Sequence, residues 1–221
     1  MLEDITSFLI ENGPDFLYIA QGALLNLQYA SVSVVCGLFL GIILTICKLS
    51  HNKIIKFFAN FYTSIFRGTP LLLQLNIIYF GLPGLLQIDL GIFAAGVIAF
   101  SLNSAAYVSE IIKAGIMSID KGQFEATKVL GIPPYYAYKD VILPQAIRNI
   151  LPALVNELIN MLKESSLISV LGGMDLMYRA GIVVSQKYTY FTPMITAGVC
   201  YYIMISILNY LADVVTRKVA I

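Results

Sequence analysis

Three stretches of this sequence, 16–47, 90–109 and 188–212, contain no Asp, Glu, Lys or Arg. A helix needs about 20 apolar residues to cross the hydrocarbon core of a bilayer, and each stretch meets that length. The first is long enough to tilt or to extend beyond the membrane. Two further apolar stretches are interrupted by charge. One runs from about Phe57 to Phe80 and holds Arg67; the other runs from about Ile150 to Leu171 and holds Glu157, Lys163 and Glu164. Counting both, the expected fold is an all-α integral membrane protein with five transmembrane helices, in one domain over 1–221.

Composition agrees. Apolar residues make up 58% and charged residues 12%, against roughly 45–50% and 25% in an ordinary soluble domain. A net charge of +1 offers no basic field for a nucleic-acid partner. Cys36, Cys47 and Cys200 have no CxxC or Cys/His spacing, so they read as packing residues, with no metal site expected. Residues 1–15 carry Glu3, Asp4, Glu11 and Asp15 and no base, whereas a cleavable signal peptide needs a basic start. Residues 1–12 are a candidate interfacial helix. His51 reads as a solvated loop residue, and the tyrosines at 188, 190, 201 and 202 as interface anchors.

Basic residues alternate between connections. The first carries Lys48, Lys53 and Lys56; the second, around Gly81–Gly91, carries none; the third has Lys121, Lys128, Lys139 and Arg148; the C-terminus has Arg217 and Lys218. The positive-inside bias therefore puts the N-terminus outside and the C-terminus in the cytoplasm. Arg179 and Lys187 on the outer side weaken the pattern without reversing it.

The third connection, about 117–147, is long for a mere link. Asp120 suits a helix N-cap, Gly131 a C-terminal stop, and Pro133 or Pro134 a second helix start that Pro144 limits. Two short helices with a glycine turn are expected against the inner face. Small residues Ala126 and Thr127 would let another backbone approach, and Glu125 could pair with a base. On the residues alone, a docking role and a plain connection both stand open.

Glu125-Ala126-Thr127, then Gly131, then Val141-Ile142-Leu143-Pro144 resembles the cytoplasmic loop of permeases in type I ATP-binding-cassette importers. That motif reads Glu-Ala-Ala, three residues, Gly, nine residues, Ile-x-Leu-Pro. Thr127 and Val141 depart from it by residues of similar size. Arg67-Gly68-Thr69-Pro70-Leu71-Leu72, Leu102-Asn103-Ser104-Ala105-Ala106-Tyr107, Leu143-Pro144-Gln145-Ala146 and Lys163-Glu164-Ser165-Ser166-Leu167 are similar to the polar-amino-acid branch. The resemblance implies the fold of that permease family and a bacterial inner-membrane location. It implies that Glu125, Ala126, Gly131, Leu143 and Pro144 couple to an ATPase subunit, which alone binds ATP. It also implies a second permease copy or paralogue, an external solute-binding protein and an amino-acid substrate. Among the amino acids it points to glutamine, with arginine, histidine and glutamate open. The chain itself has no GxxxxGK[ST] loop, so it is expected to be no enzyme and to carry no cofactor.

Charge within a membrane span is costly and usually faces a cavity or a partner. Arg67 is followed by Gly68 and Pro70, so a helix break is expected there. Thr63, Arg67, Pro70 and Gln74 share one side; Asn156, Glu157, Asn160, Lys163 and Glu164 share another. Such a pair of faces suits a zwitterion: Arg67 for the α-carboxylate, Glu164 for the ammonium, and Thr69, Pro70, Gln74, Asn103 and Asn160 around them. Structural ion pairing of Arg67 and Glu164, with each other or with Glu157 and Lys163, is the competing reading. A stand-alone ion-coupled amino-acid carrier is the competing function; a docking hairpin would have no task in it.

Overall fold

The computed structural model describes residues 12–219. The candidate interfacial helix at 1–12 therefore lies almost wholly outside the described residues. Among these residues every regular element is helical: α1 (Asn12–Leu49), α2 (Lys53–Gly68), α3 (Leu71–Leu86), α4 (Ile92–Met117), α5 (Lys121–Val129), α6 (Pro134–Leu171), α7 (Leu176–Lys187) and α8 (Phe191–Val219). Helices α1, α4 and α8 are long and apolar enough to cross a bilayer alone. The pairs α2–α3 and α6–α7 pass only together, bent by 104° and 47°.

Side-chain pairs fix the direction of each pass. Tyr29 of α1 hydrogen-bonds the carbonyl of Ile92 on α4, while Thr45 and Lys48 bond Ser109. Residue numbers rise together, so α1 and α4 are parallel. Parallel neighbours need a connection that returns to the starting side, and only α2–α3 lies between them. The bent pair is therefore a crossing. Asn149 of α6 bonds Ser118, and Ser104 bonds Glu157, so α6 runs antiparallel to α4. On α8, Ala197 packs with Ile19 and Tyr201 bonds Asn26, so α8 is parallel to α1. The chain crosses five times, as the sequence predicts.

The α1–α4 seam is tightly packed. A Cβ on Gly37 would stand 2.8 Å from Ser104 Cβ, so only glycine permits this approach. Small residues at helix interfaces serve the same purpose in membranes generally. An aromatic and aliphatic cluster closes the middle, with Tyr29, Leu75, Phe100, Met161 and Ile168 at its centre.

At the end away from the hairpin, α7 continues beside α1 and antiparallel to it. Asp175 caps α7 through the amide of Tyr178 (2.8 Å). Its other oxygen meets Asn26 (3.2 Å) and Tyr201 (3.3 Å), and Asn26 also bonds Ser165 (2.8 Å) and the amide of Leu176 (3.1 Å). Tyr201 is thus a structural partner joining three helices, not the interface anchor its place near one span end predicts. Arg179 stacks over Tyr18 and bonds its carbonyl and Gln21; Lys187 pairs with Asp15. The two bases that disturb the charge alternation are both held by α1.

One expected boundary moves. Pro144 does not end a helix: α6 continues through it. A regular helix would clash at the carbonyl four residues before a proline. Residues 137–142 instead form a wider π-helical stretch immediately before it, which opens that turn.

Candidate functional site: the hairpin and the broken helix

The hairpin is built on α5. Asp120 accepts from the Gly122 amide at 2.6 Å and caps its start. At its end, the Ile132 amide donates to Thr127 O (2.9 Å) and the Gly131 amide to Lys128 O (3.1 Å). These paired bonds form a Schellman stop, which needs a residue in the left-handed region, and Gly131 has φ +64. A Cβ there would meet nothing within 4 Å, so its requirement is conformational and not steric.

Thr127 faces inward, buried, its hydroxyl bonded to Phe124 O. Glu125 and Ala126 face outward, with Leu143 and Pro144 also exposed. Of the two small residues expected to admit another backbone, Ala126 alone presents a bare surface. Beneath them Phe124 packs with Ile119, Ile142, Ala146 and Ile150, so the hairpin is fixed to α4 and α6. A concavity of about 460 Å³ opens between Phe124, Glu125, Lys128, Ile132 and Tyr138. Val129 and Leu130, at the end of α5, are exposed, an apolar surface suited to protein contact.

The break after α2 falls at Thr69–Pro70, where the sequence predicts it. It strands backbone carbonyls at membrane depth, which must be satisfied by protein or water. Gln74 Nε2 donates to Phe66 O (2.9 Å) and Thr69 O (3.1 Å). Asn103 Nδ2 donates to Phe66 O (3.2 Å) and to Gln74 Oε1 (3.0 Å). Both side chains are buried. They hold the break open, and their amide nitrogens are committed to it. Thr69 bonds Ile65 O, and Pro70 is exposed.

Arg67 does not meet Glu164. Its guanidinium lies over the Tyr107 ring (5.4 Å) and 3.9 Å from Glu110, and nearly half of its side chain is exposed. Glu110 in turn binds fully buried Lys48 at 2.7 Å, and Lys48 also reaches Ser109 at 2.7 Å. The ion pair weighed from the sequence thus has another partner. Glu110 went unnoticed because it falls one residue beyond the charge-free stretch. A signal was present: Asn103, Tyr107 and Glu110 follow the i, i+4, i+7 pattern of one helix face.

On α6, Asn156, Asn160 and Lys163 are exposed, Glu164 half-buried and Glu157 buried against Ser104. Lipid cannot cover that exposed polar face cheaply. Depth along the helices separates the charges. From the Ser104–Glu157 pair, Glu164 lies ~10 Å toward one end and Glu110 ~9 Å toward the hairpin, at 1.5 Å per residue. Arg67 and Glu164 therefore do not converge on one small ligand in this conformation. Thr69, Pro70, Gln74, Asn103 and Asn160 share the middle depth.

The family described as binding-protein-dependent transport system inner membrane component matches residues 37–221. The chain is 54% identical over 214 residues to a putative glutamine transport system permease protein of Rickettsia typhi, covering 97% of this chain and 98% of that one. It is 50% identical over 205 residues to the arginine transport system permease protein ArtQ of Bacillus subtilis, covering 93% and 94%. Among solved structures it is similar to an amino acid ABC transporter crystallised with histidines, at a TM-score of 0.88 and 41% identity over 95% of this chain and 96% of that one. The MetNI methionine ABC transporter shares the fold, with a TM-score of 0.75 at 20% identity over 93% and 98%. With a family match over most of its length and a relative at 54% identity, the chain belongs to the binding-protein-dependent transport system inner membrane components.

Proposed function

We propose that this chain is the transmembrane permease subunit of an ATP-driven importer of polar amino acids in a bacterial inner membrane. The observation that carries this reading is the hairpin: a capped helix ending in a Schellman turn, anchored by Phe124 and presenting Glu125 and Ala126. A stand-alone carrier gives that structure no task. The similarity to glutamine and arginine permeases supports a polar amino acid, and glutamine comes first among the substrates.

The hairpin docks on an ATPase subunit, which binds ATP. Hairpin, Lys53 and the last turns of α8 share one end of the bundle, and the lysine bias points to that end as cytoplasmic. The exposed polar face of α6 and the exposed Arg67 are covered by a water-filled path and by a second permease copy or paralogue. A solute-binding protein delivers substrate at the α7 end. Within the path, Glu164 and Asn160 meet the amino acid first, Thr69 and Pro70 lie at the break, and Arg67 takes its carboxylate nearer the cytoplasm. Gln74 and Asn103 shape the break that exposes Thr69 and Pro70.

The test is reconstitution. Tagged permease, expressed with its neighbouring ATPase, should co-purify with it in mild detergent and drive ATP-dependent uptake of L-glutamine or L-arginine into vesicles. Uptake driven by an ion gradient without ATPase would overturn the reading.

A further inference from the structure

We infer that Glu110 is a positioning residue that competes with the substrate's carboxylate for Arg67, making the pair an exchange site at the cytoplasmic end of the path. This rests on the reading of Arg67 as a carboxylate-binding residue.

The geometry is unequal. Glu110 is held at 2.7 Å by Lys48, which is wholly buried, but at 3.9 Å by Arg67, which is half in the open. The tight partner cannot leave without stranding a buried charge. The loose one can. Arg67 rests on an exposed Tyr107 ring, and five N–H donors on a planar fork allow it to take a carboxylate in two parallel bonds. Two cations, Lys48 and Arg67, face the single carboxylate of Glu110, and Lys113 follows it three residues on along α4. The site therefore keeps positive charge for a second carboxylate.

The neighbourhood also sets a direction. Asn103 fixes the carbonyl before Arg67 at mid-depth, while the guanidinium reaches about two turns toward the hairpin end. An α-carboxylate moving inward meets Arg67, displaces it from Glu110, and is displaced in turn as Glu110 reclaims it. Glu110 thus prevents Arg67 from holding the amino acid too long.

The experiment uses the reconstituted permease–ATPase complex. The binding of L-glutamine is compared with that of 4-aminobutanamide, and of L-arginine with agmatine; each amine lacks only the carboxylate. Two variants weaken the competitor: Glu110→Asp, which retracts the carboxylate, and Glu110→Gln with Lys48→Met, which removes both charges of the tight pair. Each should raise the preference for amino acid over amine by about tenfold, the effect of one freed charge-assisted bond, and lower uptake per complex. Arg67→Ala should erase the preference in every background. If Arg67→Ala erases it while both Glu110 variants leave it unchanged, the exchange site is wrong and the role of Arg67 stands. If Arg67→Ala leaves the preference intact, the role of Arg67 and the exchange site both fall.

Discussion

The side-chain amide of Asn103 donates to Gln74 Oε1 at 3.0 Å, so two helices meet across a break that neither could sustain alone. Between them these two amides satisfy Phe66 O and Thr69 O. Asn103→Leu should lower stability by about 1–2 kcal/mol, the usual effect of stranding buried hydrogen-bonding groups, moderated in membranes. Asn103→Asp should be worse, because a carboxylate would face two acceptors. Thermal unfolding of the purified permease in detergent would check the order; an unchanged Tm in both variants would contradict it.

Gly131 separates conformational from steric requirements. Its φ of +64 disfavours a Cβ although nothing stands in the way. Asn tolerates the left-handed region, whereas β-branched residues do not. Gly131→Asn should therefore retain most ATP-driven uptake, while Gly131→Val should reduce ATPase recovery or coupling sharply. Equal loss in both would show that something other than the turn is at stake.

The Asn26–Asp175–Tyr201 node should behave as structure. Asp175→Ala removes the cap of α7 and two partners of other helices. A cost of about 2–3 kcal/mol is expected, from a lost cap together with stranded polar groups. Tyr201→Phe, which leaves Asp175 and Asn26 paired, should cost about 1 kcal/mol. Folded yield and Tm report both, and uptake per folded complex should stay near wild type in Tyr201→Phe.

Orientation is open to direct labelling. In a background lacking Cys36, Cys47 and Cys200, Tyr188→Cys should react with an impermeant reagent from outside. Lys139→Cys should react only after the membrane is opened. Both side chains are largely exposed. The reverse pattern would place the hairpin away from any cytoplasmic ATPase.

Much of this was legible before any coordinates. Apolar length pointed to five crossings, two of them interrupted by charge, and Gly68 and Pro70 marked the neighbourhood of the break. Asp120 and Gly131 marked both ends of the hairpin helix, because capping is local chemistry. What stayed hidden depended on distance in the sequence. Lys48, Arg67 and Glu110 meet from three helices, and α4 runs seven residues past Glu110 to Met117. A charge-counting boundary cannot foresee that. Pro144 misled for the opposite reason: its penalty is real, but the widened turn at 137–142 absorbs it.

From Pro134 to Leu171 the chain is one succession of helical turns, spanning about 55 Å at 1.5 Å per residue. Its near end forms a wall of the hairpin, and its first joint with a positive φ is Gly172. It joins the hairpin to the turn where α7 begins through π-helical, α-helical and 3-10 turns in unbroken succession. If the hairpin docks on an ATPase as proposed, a single piece of the chain reaches from that contact to the opposite end of the bundle.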